Sequence, residues 1–76
     1  MISLEIQELH DAGSAFLTIV DSPVLPPVGT TVTVKVDHHA ARFEQGRNVF
    51  GTVKNVQFRP QTASATVFLE NVTWAD

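Results

Sequence analysis

The sequence contains no cysteine, and this absence excludes two common ways of holding a small fold together. Neither a disulfide framework nor a thiolate metal site can form among its 76 residues. Charged residues are also scarce, at 17% of the chain, whereas apolar residues reach 43%. A chain with this balance can bury enough apolar surface to fold, so a solvated, disordered polymer is excluded.

Long apolar runs are missing as well. No stretch approaches the roughly 20 apolar residues that a membrane-spanning helix needs, so we expect no membrane association. The first six residues lack a basic segment followed by an uninterrupted apolar one, which argues against a secretory signal. We therefore expect a cytoplasmic protein.

Alternation of apolar and polar residues predicts a chain built from β-strands. The clearest strand is 30–36, where three valines share one face, and 2–7 follows the same period. Segment 16–20 is mostly apolar and predicts a strand that is central or covered on both faces. Because only a short turn at 10–14 separates 2–7 from 16–20, these two strands should form an antiparallel hairpin.

Two irregular features shape the strands. Three prolines within 22–29 remove amide donors and fix φ, so this segment should be an extended connector rather than an inner strand or a helix. In 49–59 the apolar residues change parity midway, which predicts a bulge near Lys54 and Asn55, with Gly51 easing a bend. A bulged, bent strand is typical of a small sheet that curves strongly.

The last strand, 65–74, completes five or six short strands in a chain without a helix signal. Val67 and Leu69 should lie on one face of it, opposite a second set of residues: Phe68, Val72 and Trp74. The predicted fold class is all-β, a small antiparallel barrel of five to six strands with one bulged strand and a proline-rich connector. We expect 1–76 to form one domain.

Three segments together resemble the SH3-like barrel superfamily, including its KOW and Tudor-type modules. They are Pro-Val-Gly29-x-x-Val-x-Val, Gly51-x-Val53-x-x-Val56 and Ala65-Thr-Val-Phe-Leu69. The resemblance implies a five-stranded barrel in which the glycine-valine step begins a curved strand. The chain is also similar in style to short β proteins of phages and prophages. A phage origin would place it in the host cytoplasm, as an inhibitor or an assembly factor that binds a protein complex.

Catalytic and metal-binding patterns are not found. His38 and His39 are adjacent, and neighbouring side chains on an extended segment project to opposite sides, so they do not form a preformed metal site. His10, Asp11 and Ser14 lie in a tight turn that lacks the strand-turn-helix needed to present a nucleophile. We therefore expect no enzyme activity, no cofactor and no metal.

The polar loop 38–48 is the predicted protein-binding surface. Phe43 would be the apolar anchor, Arg42 and Arg47 its charge partners, and His38 and His39 the rim. Aromatic and arginine side chains are favoured at the energetic centres of interfaces. We expect a non-enzymatic protein-interaction module, with a homodimer as one assembly. Phe43 could instead fold back and cap one end of the barrel.

An uneven charge distribution supports an alternative function. The whole chain carries −3, yet 35–59 holds all five cations against Asp37 and Glu44, which leaves +3 there. A nucleic-acid-binding barrel could use four of these cations: Arg42, Arg47, Lys54 and Arg59. The negative total weakens phosphate attraction, so nucleic acid ranks behind a protein partner.

Overall fold

Five strands make up most of the chain in the computed structural model, which describes residues 1–37 and 44–75. They are β1 (Ile2–His10), β2 (Gly13–Ser22), β3 (Thr31–Lys35), β4 (Asn48–Arg59) and β5 (Ser64–Trp74). A 3-10 turn at Pro60–Thr62 links β4 to β5. All five strands belong to one sheet of order β2-β1-β5-β4-β3, which is curled into a half-barrel. The prediction of a small, five-stranded, barrel-like all-β fold is confirmed.

One strand pair departs from the predicted antiparallel arrangement. The β1–β2 hairpin is antiparallel as expected, and so are the pairs β3–β4 and β4–β5. β1 and β5, in contrast, pair in parallel, with Leu4 beside Ala65 and Ile6 beside Val67. Strand direction reverses at every connection of this chain, so the first and fifth strands run the same way. Their pairing is therefore parallel, and the sheet is mixed.

β2 lies at one edge of the sheet, so the prediction that it is central or covered on both faces is wrong. Its register with β1 shifts between Ile6 and Gln7, which leaves Leu17 as an extra residue. Leu17 and Thr18 are both buried as a result, whereas Ile19 is 55% exposed on the opposite face. A continuous apolar run here reflects this bulge and not two covered faces.

The core fills the concave face of the half-barrel. Alternate residues of β1 and β5 supply its middle. The other three strands and the residues next to them contribute mostly valines. Its fully buried members include Ile6, Leu17, Val36, Val49, Val53, Val67 and Leu69. Every strand buries apolar side chains on this one face. Their removal from water is the main stabilising contribution to such a small fold.

The bulge predicted in β4 is confirmed. Val53 lies opposite Leu69 of β5 and Asn55 lies opposite Phe68, so Lys54 is the extra residue. The shift places Val56 on the concave face, packed against the core, whereas Phe58 is 47% exposed. The change of parity in the sequence thus marks the bulge, which shifts the face of the sheet on which each later residue of β4 lies.

A second bulge, in β5, was not predicted. Phe50 pairs with Thr73 and Thr52 with Glu70, so β5 has one residue more than β4 in this interval. Asn71 adopts a left-handed conformation there, with φ of 56°. The extra residue turns Val72 into the core, where it is 3% exposed. The expectation that Val72 shares a face with Phe68 is therefore wrong.

Gly51 lies in β4 close to the side chains and backbone of β5. A Cβ atom at this position would stand 2.8 Å from Val72 Cγ2 and 3.0 Å from the Glu70 carbonyl oxygen. Real Cβ atoms do not come so close to a neighbour, and a backbone carbonyl in a paired strand has little freedom to move. Gly51 is thus required by lack of space at the β5 bulge.

We predict that Gly51→Ala lowers the free energy of unfolding by about 1–3 kcal/mol, the usual cost of overpacking. Chemical denaturation followed by circular dichroism measures the change. Val72→Ala removes the nearest clashing methyl group, so the double variant should lose less stability than the sum of the two single variants. Additive losses would show that Val72 is not the group that excludes a side chain at Gly51.

Candidate functional site

The half-barrel is open along a seam between its two edge strands, β2 and β3. These strands run antiparallel to each other across the seam, because strand direction alternates along the chain. In the described part of the chain, one backbone hydrogen bond crosses the seam, from the Asp37 N–H to the Leu17 carbonyl at 3.1 Å. On the side of this bond that leads to the proline-rich connector, the seam widens into a pocket.

The widened part of the seam is a groove of about 450 Å³. Apolar side chains of β1, β2 and β3 form much of its lining, and the connector borders it. Its lining residues are Leu4, Val20, Asp21, Ser22, Val24, Pro26, Val32, Thr33, Val34 and Lys35. We call this feature the seam groove. It exposes apolar core-facing atoms between two strand edges that no other strand covers.

The connector fixes one border of the seam groove. The Ser22 hydroxyl donates to the Val24 carbonyl at 2.7 Å and accepts from the Val24 N–H at 3.2 Å, which closes a tight local turn. Leu25 packs against the core, while Val24 is 65% exposed at the border of the groove. Pro26 has no amide hydrogen, so it cannot extend β2 across the opening. The prediction of a non-strand connector is confirmed for 23–29, whereas Ser22 is the last residue of β2.

Two opposite charges stand on the two sides of the seam groove. Asp21 belongs to β2 and Lys35 to β3, and both are exposed. Within residues 1–37 and 44–75, neither side chain forms an ion pair or a hydrogen bond. The groove therefore has an acidic side and a basic side around an apolar floor. Sequence analysis missed this arrangement because 21 and 35 are on strands whose proximity depends on the curl of the sheet.

Of the predicted protein-binding residues, the structure describes Arg47. Its backbone carbonyl accepts from the Val36 N–H at 2.9 Å, which continues the β3–β4 hairpin beyond the strands. Its guanidinium carbon lies 4.5 Å from the centroid of the Trp74 ring. The other members of the predicted site, His38, His39, Arg42 and Phe43, lie outside the described residues. The assignment of loop 38–48 as a contact surface stays a prediction.

The predicted nucleic-acid-binding residues occupy separate places along β4. Arg59, at its far end, donates to the Ser64 hydroxyl at 3.1 Å and to the Thr66 hydroxyl at 3.0 Å. Lys54 borders a shallow groove of about 390 Å³, which is also lined by Leu9, Asn55, Gln57 and Phe68. Arg47 precedes the first residue of β4, against Trp74. The three described cations do not converge on one patch, and Arg42 lies outside the described residues.

The remaining polar candidates do not assemble a reactive cluster. His10 Nδ1 accepts from the Ala12 N–H at 3.3 Å and so belongs to the β1–β2 turn. Among residues 1–37 and 44–75, no three histidine or carboxylate side chains are placed to hold a metal ion. Glu8 is 4% exposed beside Leu69, a position that the parity of Leu4 and Ile6 could have revealed. The described residues also hold no helix with the length and hydrophobicity that a membrane crossing requires.

Comparisons with known proteins give no relative. No protein-family model matches the chain, and neither the curated proteins nor the solved structures include a significant match. The structure is compatible with a small β-barrel fold, the coarse form of the resemblance that the sequence segments suggested. Function therefore has to be argued from the geometry of this chain.

We predict a coupling of about 0.5–1 kcal/mol between Arg47 and Trp74, the size of an exposed cation–π contact. A double-mutant cycle with Arg47→Gln and Trp74→Leu, followed by chemical denaturation, measures it. As a control, Arg59→Gln should be additive with Trp74→Leu, because Arg59 contacts Ser64 and Thr66 instead. Additive losses for the Arg47 pair would show that the ring contact contributes nothing to stability.

Proposed function

We propose that this chain is a non-enzymatic protein-interaction module that binds an extended polypeptide segment in its seam groove. The observation that carries the proposal is the open seam, where two strand edges face each other across an apolar groove of about 450 Å³. Small domains with little interior act mainly through their surfaces.

An extended segment suits this groove because strand edges carry unpaired backbone donors and acceptors. β2 and β3 end the sheet, so each offers one row of N–H and C=O groups to another chain. Binding by strand addition uses these groups for affinity and side-chain pockets for specificity. Alternate side chains of the bound segment would pack against the apolar floor, which is formed by Leu4, Val20 and Val34.

The charges at the groove add a second requirement on the partner. A cationic residue of the bound segment would lie beside Asp21, and an anionic one beside Lys35. Exposed pairs of this kind contribute modestly to affinity, but they set direction and exclude mismatched segments. The preferred partner thus has apolar residues at every second position and one charge of each sign.

Loop 38–48 is proposed as an additional contact region, with Phe43 as its anchor. Asp37, the residue before this loop, forms the backbone bond that crosses the seam. A partner that extends past the groove would reach it. The roles of inhibitor or assembly factor, and a phage origin, stay predictions from the style of the sequence.

Val24 and Val28 offer a matched test of the groove. Both are 65% exposed in the same connector, but only Val24 lines the seam groove. We expect a random peptide library, selected on the purified chain, to yield peptides with apolar residues at alternate positions. Val24→Asp should weaken these peptides by about tenfold or more, because it places a carboxylate beside the apolar floor.

Val28→Asp is the control, because it adds the same charge to the same segment away from the groove. It should leave peptide affinity unchanged, and both variants should unfold within about 0.5 kcal/mol of the parent. Calorimetric titration gives the affinities. Equal weakening by the two variants, or selected peptides without alternation, would contradict binding in the seam groove.

A nucleic-acid-binding function is the second candidate, favoured by one observation. Lys54 and Phe68 border the same shallow groove, so a cation stands beside a half-buried aromatic ring. This alternative predicts binding of single-stranded RNA or DNA that weakens steeply with salt. Lys54→Glu should then reduce the salt slope by about one, whereas Lys35→Glu on the seam should not. A slope that both variants leave unchanged would reject this groove as a nucleic-acid site.

A further inference from the structure

We infer that a second copy of this chain covers the seam groove, so that two copies pair seam to seam about a two-fold axis. This inference rests on the proposed function, because it names one partner for the same groove.

The charges make the groove complementary to itself. A two-fold interface brings the same patch of both copies together, so a residue on one side of the patch meets the residue on the other side. An axis midway between Asp21 and Lys35, perpendicular to the line that joins them, places each Asp21 against Lys35 of the second copy. Both side chains are exposed, and neither is paired among the described residues. One dimer therefore gains two symmetric ion pairs without breaking any within a copy.

The border of the groove supplies apolar surface for the same contact. Val24 is 65% exposed beside a groove that is itself largely apolar. Exposure to water is unfavourable both for the side chain of Val24 and for the apolar lining of the groove. Pairing two such patches removes both surfaces from solvent.

The size of the surface sets the expected strength. The chain exposes 4491 Å², and a standard interface takes about 800 Å² from each partner, which is close to a fifth of that surface. The groove, its two charged sides and the connector form a small patch. The dimer should therefore be weak and should dissociate on dilution. A weak dimer of this kind leaves the groove available to a peptide that binds more tightly.

Charge reversal tests the pairing. Asp21→Lys and Lys35→Asp each turn two attractions per dimer into two repulsions, so each should raise the dimer dissociation constant by about tenfold or more. Analytical ultracentrifugation over a wide range of concentrations measures it. The double variant Asp21→Lys/Lys35→Asp restores the opposite signs and should dimerise like the parent chain.

Mixing the two single variants gives the most specific readout. One variant then carries lysine at both positions and the other carries aspartate at both, so the mixture should form heterodimers although each variant alone does not. Lys54→Asp and Asp11→Lys repeat the changes in net charge away from the seam, and both should leave dimerisation unchanged.

The outcomes separate this inference from the function on which it rests. A chain that stays monomeric at all concentrations, or a dimer that is indifferent to both charge reversals, overturns the seam-to-seam pairing. If the peptides selected on the chain still depend on Val24 in that case, the interaction module stands with another partner. If the charge-swapped mixture pairs but no peptide binds, the dimer stands and peptide binding fails. Selected peptides that dissociate the dimer support both.

Discussion

The pairing of the first and the last strand of the chain joins the β1–β2 hairpin to the other three strands, and the rest of the structure depends on it. With strand direction reversing at each connection, β1 and β5 run the same way and must pair in parallel. Once they are joined, β2 and β3 are left as the edges of the sheet. These edges face each other because the sheet curls, and they meet where Asp37 bonds to Leu17. The open seam thus follows from the topology.

Curvature on this scale requires local irregularities, and the chain places one in each of three strands. Leu17 in β2, Lys54 in β4 and the segment at Asn71 in β5 each add a residue that the neighbouring strand lacks. A bulge increases twist and lets apolar side chains on both sides of it face the core. Gly51 lets β4 lie close to β5 beside the β5 bulge, because a side chain there would clash with Val72. The bulges therefore bend the sheet and keep its apolar side chains on the core face.

The connector between β2 and β3 explains why the seam remains open. Its prolines lack amide hydrogens, so they cannot extend either edge strand toward the other. Leu25 anchors it to the core, and the Ser22 hydroxyl holds the turn that presents Val24. An apolar groove with an acidic and a basic side is the result. This combination is the basis of the proposed binding of an extended polypeptide segment.

Local sequence patterns were sufficient to predict four features: the all-β class, the first hairpin, the proline-rich connector and the bulge at Lys54. Each of these depends on a few neighbouring residues. The parallel β1–β5 pair, the edge position of β2 and the return of Val72 to the core depended on which distant strands meet, and no local pattern carries that information. The same limit applies to the groove. Asp21 and Lys35 come to line one groove only because the sheet curls around its core, which packs side chains from every strand at once.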